Sequence, residues 1–328
     1  MTAFVRTQST TDLPPSLKGG VVAIGNFDGL HRGHQAVLGE TLEIASEKNA
    51  PAVVLTFEPH PKTVFRPDNP VFRLTPAPLK AHLLERLGFA AVVEMPFDRT
   101  FAAIEAADFI EDILVDGFDL THAVTGFNFH FGKARAGTPD YLREAGKRLG
   151  FGVTEVETFS DENDEVVSSS RIRQLLSEGR VAEASGLLGY HYTVEEEVVG
   201  GKKLGRTLGF PTANMRLPDH AMLKPGVYAV RFRRSDGALF DGVASFGRRP
   251  TVDEDGALLL ETYLFDFEGD LYGETCSVSF VSWLRGEEKF DGLEALTQQM
   301  TVDAEEARAA LSGVRHLGPL DITVPLPG

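Results

Sequence analysis

The run Gly25-Asn26-Phe27-Asp28-Gly29-Leu30-His31-Arg32-Gly33-His34 holds the densest set of chemically useful groups in the first half of the chain. It follows a short apolar segment and precedes a helix-like one. Glycines let a backbone approach a phosphate closely. A helix N-terminus directly after them offers unpaired N–H groups and the positive end of a dipole. His31 and His34, three residues apart at a helix start, can aim at one ligand. They can donate hydrogen bonds to a phosphate whose charge grows in a transition state. A zinc centre would need ligands beyond this pair. The expectation is a phosphate-binding turn that aims His31 and His34 at a ligand, against a plain surface loop with incidental histidines.

Three further segments carry polar chemistry. In Val167-Ser168-Ser169-Ser170-Arg171-Ile172-Arg173, Ser170 is placed to cap a helix starting at Arg171. The same hydroxyls, with one arginine, could instead bind phosphate. Gly126-Phe127-Asn128-Phe129-His130-Phe131-Gly132 has aromatics at alternate positions between two glycines. Such a loop either packs on a core or closes over a base or a flavin ring. Phe57-Glu58-Pro59-His60-Pro61 reads as a stiff, extended loop because of its two prolines, and His60 could meet a ligand there.

In the second half, Gly205-Arg206-Thr207-Leu208-Gly209-Phe210-Pro211-Thr212-Ala213-Asn214 is dense in glycine and small polar groups. It lacks the P-loop spacing. A hydroxyl and an amide carbonyl two residues apart, Thr212 and Asn214, can share one Mg²⁺ ion or one phosphate oxygen. Glu261 shares a strand face with Leu259, Tyr263 and Phe265. Burial raises the pKa of a carboxyl, and a base so tuned suits taking a proton from a hydroxyl. Cys276 and Trp283 read as packing residues.

These groups need elements to hold them. Val21 to Ile24, Ala52 to Phe57, Ala90 to Glu94, His122 to Thr125 and Gly152 to Val156 read as strands. Gln35 to Lys48, Pro78 to Leu87, Ala107 to Val115 and Thr138 to Leu149 read as helices between them. Alternating units of this kind imply a parallel sheet covered on both faces. Ligands bind such sheets where strands end and helices begin. From Tyr192 the pattern becomes strand after strand: Thr193 to Val199, Gly226 to Arg233, Gly242 to Ser245, Leu258 to Phe265 and Thr275 to Val281. That predicts an antiparallel barrel or sandwich. Leu293 to Leu311 reads as a tail helix with a break near Thr301.

The chain has 328 residues, which suits two domains. The expected boundary lies near Gly189, giving domains 1–189 and 190–328. With 32 Lys and Arg against 48 Asp and Glu, the net charge of −16 argues against a nucleic-acid or anionic-lipid grip. One cysteine excludes an internal disulfide framework and fits a reducing compartment. No apolar run is long enough for a membrane span, and Met1 to Pro15 has no signal-peptide pattern. A cytoplasmic protein is expected, with a homo-oligomer left open.

Taken together, these motifs resemble the bacterial bifunctional riboflavin kinase/FMN adenylyltransferase family, the prokaryotic FAD synthetases, from about Lys18 to Leu311. GNFDGLHRGH, the Phe-Glu-Pro-His-Pro segment, VTGFNFHFG and VSSSRIR match its nucleotidylyltransferase module. GRTLGFPTAN, Pro225-Gly226-Val227-Tyr228, Ser245-Phe246-Gly247-Arg248-Arg249-Pro250-Thr251 and Glu261-Thr262-Tyr263-Leu264 match its kinase module. The resemblance implies an α/β, Rossmann-like nucleotidylyltransferase domain. An antiparallel six-stranded β-barrel of the riboflavin kinase type, with a C-terminal helix, would follow it.

It further implies that His31 and His34, with Gly25, Phe27 and Asp28, bind ATP phosphates. Ser169, Ser170 and Arg173 would hold the triphosphate, and Asn128 and His60 would meet the flavin. Gly205, Thr212 and Asn214 would hold Mg²⁺-ATP in the kinase, with Thr212 and Asn214 as metal ligands. Glu261 would be the base on the ribityl 5′-hydroxyl. The substrates implied are ATP, riboflavin and FMN. Two positions depart from the family's pattern: Ser170 stands where Thr is common, and Tyr263 where His is common. An adenylyltransferase for another phosphate monoester, and a flavin-binding sensor, stand as rival readings.

Overall fold

The computed structural model describes residues 3–200, 210–248 and 256–321. It divides into two compact units, Met1–Ser168 and Ser169–Gly328. Each is described by itself.

The first unit is built on a parallel sheet. Its strands are β1 Val5–Thr7, β2 Val21–Ile24, β3 Ala52–Glu58, β4 Ala91–Pro96, β5 His122–Gly126 and β6 Gly152–Val156, in the order β1-β4-β3-β2-β5-β6. β2 is buried at every residue, as expected of a central parallel strand flanked by helices. The chain leaves β2 in one direction to β3 and β4, then returns on the other side to β5 and β6. The order therefore reverses between β2 and β5, and the crevice beyond the strand ends at such a point is where ligands bind. The turn after β2 and the aromatic loop after β5 both begin there.

Around the sheet lie α1 Arg32–Lys48, α2 Pro61–Phe65, α3 Ala77–Leu87, α4 Ala106–Asp108 and α5 Pro139–Leu149. α4 runs on into a π-helical stretch, Phe109–Gly117, where the sequence reads as ordinary helix. α1 begins three residues before the expected Gln35, so the His31–His34 pair straddles the helix start. The expected stiff loop at Phe57 to Pro61 is not extended throughout. β3 reaches Glu58, His60 caps α2, and Pro61 is its first residue, a position where the missing N–H costs nothing.

In the second unit, α6 Ser169–Glu178 and α7 Val181–Leu188 precede six antiparallel strands. These are β7 Thr193–Glu197, β8 Thr212–Leu217, β9 Gly226–Arg233, β10 Leu239–Arg248, β11 Leu258–Leu264 and β12 Thr275–Arg285, ordered β7-β12-β9-β10-β11-β8. Beyond β7, Val199 bridges back to Asn214 of β8, its N–H donating to the Asn214 carbonyl at 2.8 Å, and this nearly closes the barrel. Met215, Tyr228, Val230, Phe232, Phe246, Leu260, Val278 and Phe280 are all buried in its packing.

The last helix, α8 Leu293–Leu311, is continuous through Thr301. The expected break is absent: the Thr301 hydroxyl donates to the Thr297 carbonyl inside the helix, which runs on through it. Ala307 and Leu311 of α8 pack against Ala229 and Phe265. α6 begins at Ser169, so Ser170 lies in its first turn rather than capping it.

Candidate active sites

In the first unit the turn after β2 is fixed at three points. The Asp28 carboxylate Oδ1 accepts the backbone N–H groups of Leu74 and Thr75 at 3.0 and 3.2 Å, and Arg73 Nε at 3.3 Å. The Gly29 N–H donates to Thr75 Oγ1 at 2.8 Å. The Asn26 carbonyl accepts from Lys80 Nζ at 3.2 Å. Phe27 and Leu30 are held at φ of 47° and 37°, a region that non-glycine residues avoid and that persists only where surroundings over-determine it. A Cβ at Gly25 would sit 3.0 Å from the Phe27 ring. Glycine there lets the ring lie on the backbone.

The turn delivers the histidines. His31 caps α1, and its Nδ1 accepts the His34 N–H at 3.3 Å. A ring accepting at Nδ1 carries its proton, when neutral, on Nε2. The two imidazoles stack with centroids 3.6 Å apart and planes 19° from parallel. A Cβ at Gly33 would lie 3.3 Å from the His31 ring, so only glycine leaves the ring undisturbed. Burial, then the proximity of His31 and of Lys80, holds the His34 pKa well below the usual imidazole value. His34 is therefore neutral at pH 7, and its Nδ1 is buried with no hydrogen-bond partner. The stack thus sits at the N-terminus of α1, the positive end of its dipole.

The aromatic loop of this unit holds two kinds of residue. Phe129 and Phe131 stack at 5.4 Å and pack on the core, whereas Phe127 and Asn128 stand exposed at the end of β5. His60 is buried, and its Nδ1 accepts the Lys62 N–H at 3.1 Å. That makes it a helix cap. Ser169, Ser170 and Arg173 belong to the second unit, on α6, with Ser169 and Ser170 in its first turn.

The second unit holds a cavity of about 930 Å³. The β8–β11 register sets Glu261 opposite Asn214 and Tyr263 opposite Thr212, and the β10–β11 register sets Ser245 on the other side of Glu261. All five line the cavity. Alternation along the strands requires this: residues two apart share a face. Glu261 is half-buried. Asn214 is 4 % exposed, and its Oδ1 is buried without a hydrogen-bond partner.

Tyr263 packs edge-on against Phe210 at 4.9 Å. Bulges in β12 turn Arg285 into the lining, where it grips Asp303 of α8 with two bonds of 2.7 Å. Gly205 lies outside the described residues. Among the described residues no cluster of three or more His, Cys, Asp or Glu forms a metal site. Cys276 is buried in β12, and burial pushes its thiol up to about 12. Trp283 packs under the Lys224 ammonium at 3.8 Å.

Sequence reasoning missed Arg73, Thr75 and Lys80. Arg73 and Thr75 fall in a stretch with no periodicity. Lys80 sits in a helix beside Leu79 and Ala81, where a lysine reads as one whose stem lies on the core and whose head reaches water.

A Rossmann-like nucleotide-binding unit followed by an antiparallel barrel with an acid-bearing cavity defines a two-module transferase. The FAD synthetase family model matches residues 13–171, and the riboflavin kinase family model matches residues 188–311. A bifunctional riboflavin kinase/FMN adenylyltransferase of Haemophilus influenzae is 41% identical over 296 residues, covering 89% of this chain and 94% of the relative. One from Pseudomonas fluorescens is 39% identical over 305 residues, covering 93% and 97%. A solved structure described as a macrolide-efflux protein from Streptococcus pneumoniae aligns with a TM-score of 0.81 and 31% identity, covering 93% of this chain and 98% of that one. No helix among the described residues here is long and apolar enough to cross a membrane. The chain belongs to the bifunctional riboflavin kinase/FMN adenylyltransferase family, and is an enzyme with both a riboflavin kinase and an FAD synthetase domain.

Proposed function

We propose that residues 1–189 carry the adenylyltransferase and residues 190–328 the kinase. In the barrel, riboflavin and ATP give FMN and ADP. The Glu261 carboxylate takes the proton of the ribityl 5′-hydroxyl, whose oxygen attacks the γ-phosphorus as ADP leaves. In the first domain, an FMN phosphate oxygen attacks the α-phosphorus of ATP and diphosphate leaves, giving FAD. His31 and His34 donate hydrogen bonds to the charge that gathers on the phosphates. The observation that carries the reading is the register that sets Asn214, Glu261 and Ser245 side by side on the cavity wall.

A divalent cation fits this wall. The Asn214 Oδ1 is a hard oxygen donor, buried and without a partner, beside the Thr212 hydroxyl, which is the donor set Mg²⁺ favours. Mg²⁺ bound there would neutralise ATP phosphates. The triphosphate role of Ser169, Ser170 and Arg173 rests on the family resemblance and on their place at a helix start. The flavin role of Asn128 is supported by its exposure after β5. That of His60 rests on resemblance, since its Nδ1 already caps α2. The single cysteine, held as a buried thiol, supports a reducing cytoplasm.

Chromatography of flavins tests the whole. Purified protein with riboflavin, ATP and Mg²⁺ yields FMN and then FAD. Chelation by EDTA stops both steps, and added Mg²⁺ restores them. Absence of any flavin nucleotide would overturn the reading.

A further inference from the structure

Lys80 has no exposed surface, although it is a lysine on a helix. Its three N–H bonds are all used: to the Asn26 carbonyl at 3.2 Å, to Thr56 Oγ1 at 3.1 Å and to Glu58 Oε1 at 2.8 Å. Glu58 at the end of β3 is shared, since its two oxygens also accept both terminal nitrogens of Arg73, at 2.5 and 2.7 Å. Arg73 reaches on to Asp28. Two acids and two bases thus alternate beneath the turn: Lys80, Glu58, Arg73, Asp28.

A buried ion pair is a poor source of stability, because desolvation consumes most of its attraction and an apolar replacement is often neutral or better. What such a cluster can supply instead is a fixed geometry, as it does in some proteins. Here both ends of the chain of charges terminate on one five-residue segment, at the Asn26 carbonyl and the Asp28 carboxylate. Between and beyond those anchors lie Phe27 and Leu30 in left-handed conformations.

We propose that Lys80 is a positioning residue for FMN adenylylation: through the Asn26 carbonyl it holds the strained turn that presents His31 and His34 to the nucleotide. With every N–H committed to protein acceptors, Lys80 acts through the turn and not on the substrate. This rests on the assignment of Gly25 to His34 as the adenylyltransferase nucleotide site.

A second effect follows from the same placement. The charged and titratable groups that act on His34 are His31, stacked on it, and Lys80 from α3. Behind Lys80 stand Glu58 from β3, Arg73 and Asp28. The Lys80 charge opposes protonation of His34.

The test is Lys80→Met, which keeps most of the volume, assayed with supplied FMN and ATP. The fold is checked by circular dichroism and thermal melting. The expected result is a folded protein whose kcat for FAD formation falls by about 10²-fold, the scale on which a misplaced catalytic group acts. The acid limb of its pH profile, and the His34 ring titration followed by NMR, move to higher pH. A folded variant with the parental kcat, or with activity lost but both titrations unmoved, overturns the proposal. If Lys80→Met does not fold, Glu58→Gln decides, since it keeps the shape but removes the charge that Lys80 and Arg73 share and turns one of its two acceptor oxygens into a donor. Its kcat falls if the clamp operates and stays parental if it does not. The double substitution His31→Ala, His34→Ala is run beside them. FAD formation that survives it refutes the site assignment itself, whereas FAD formation lost there but intact in the Lys80 and Glu58 variants refutes only the clamp.

Discussion

Glu261 and Asn214 face each other across β11 and β8, directly paired in register on the wall of the barrel cavity. The carboxylate has Ser245 on its other flank, so the one acidic group in this row is bracketed by two neutral polar side chains. The pairing brings a proton acceptor beside an orphaned amide oxygen.

Glu261→Gln keeps the size and hydrogen-bonding reach and removes the base. Riboflavin phosphorylation is expected to fall by ~10²–10⁴-fold, the usual contribution of a positioned general base. FAD formation from supplied FMN is expected to stay at the parental rate. Chromatographic separation of riboflavin, FMN and FAD reads both. Unchanged phosphorylation removes Glu261 from the role of base.

His31→Ala combined with His34→Ala is expected to do the reverse. The stacked pair belongs to the first unit, and the residues described as lining the barrel cavity belong to the second. FMN is expected to accumulate from riboflavin at the parental rate while FAD formation drops to background.

Phe280 is fully buried, against Tyr228 and Tyr192 at ring separations of 5.1 and 5.7 Å. Phe280→Ala leaves a cavity that strands on both sides cannot collapse to fill. A loss of roughly 3–5 kcal/mol in unfolding free energy is expected, read by denaturant titration of the barrel's transition.

Glu58 sets an acid dependence. Burial alone would raise its carboxyl, but the hydrogen bonds and charges of Arg73 and Lys80 outweigh it and hold the pKa at about 2, against an ordinary 4.5. A depressed folded-state pKa stabilises above the unfolded value and ceases to do so as pH falls through the folded one. The stability difference between parent and Glu58→Gln is therefore expected to be full at pH 5 and to shrink as pH falls from 4.5 toward 2. Urea unfolding at a series of pH values measures it. A difference that is flat across that range would falsify the assignment.

Much of this was legible locally. The run Val21 to Ile24 announces a central parallel strand because it is apolar throughout, and Glu261 announces itself because it interrupts an apolar strand face. Some elements carry too little pattern. β1 is three residues long, and β8 mixes Asn214 and Arg216 among apolar neighbours after Pro211, so it reads as a loop. The Ala107 to Val115 segment has helical spacing, which does not distinguish the π-helical winding of Phe109–Gly117. The Lys80 clamp is invisible for another reason. Its partners lie 22, 24 and 54 residues away, so no local period marks it. The capping role of His60 was equally hidden, because a helix of five residues gives no repeat to announce it.

The β8–β11 pairing has a consequence for how the chain tolerates change in length. Side chains alternate sides along a strand, so position within β8 is a matter of parity. One residue inserted or deleted between Asn214 and Leu217 would leave Thr212 and Asn214 on the opposite side of the wall from Glu261, or force the downstream half of the strand to invert. Two inserted residues preserve the parity and lengthen the strand. Odd and even changes in β8 should therefore separate sharply in kinase activity, with flavin adenylylation in the first unit indifferent to both.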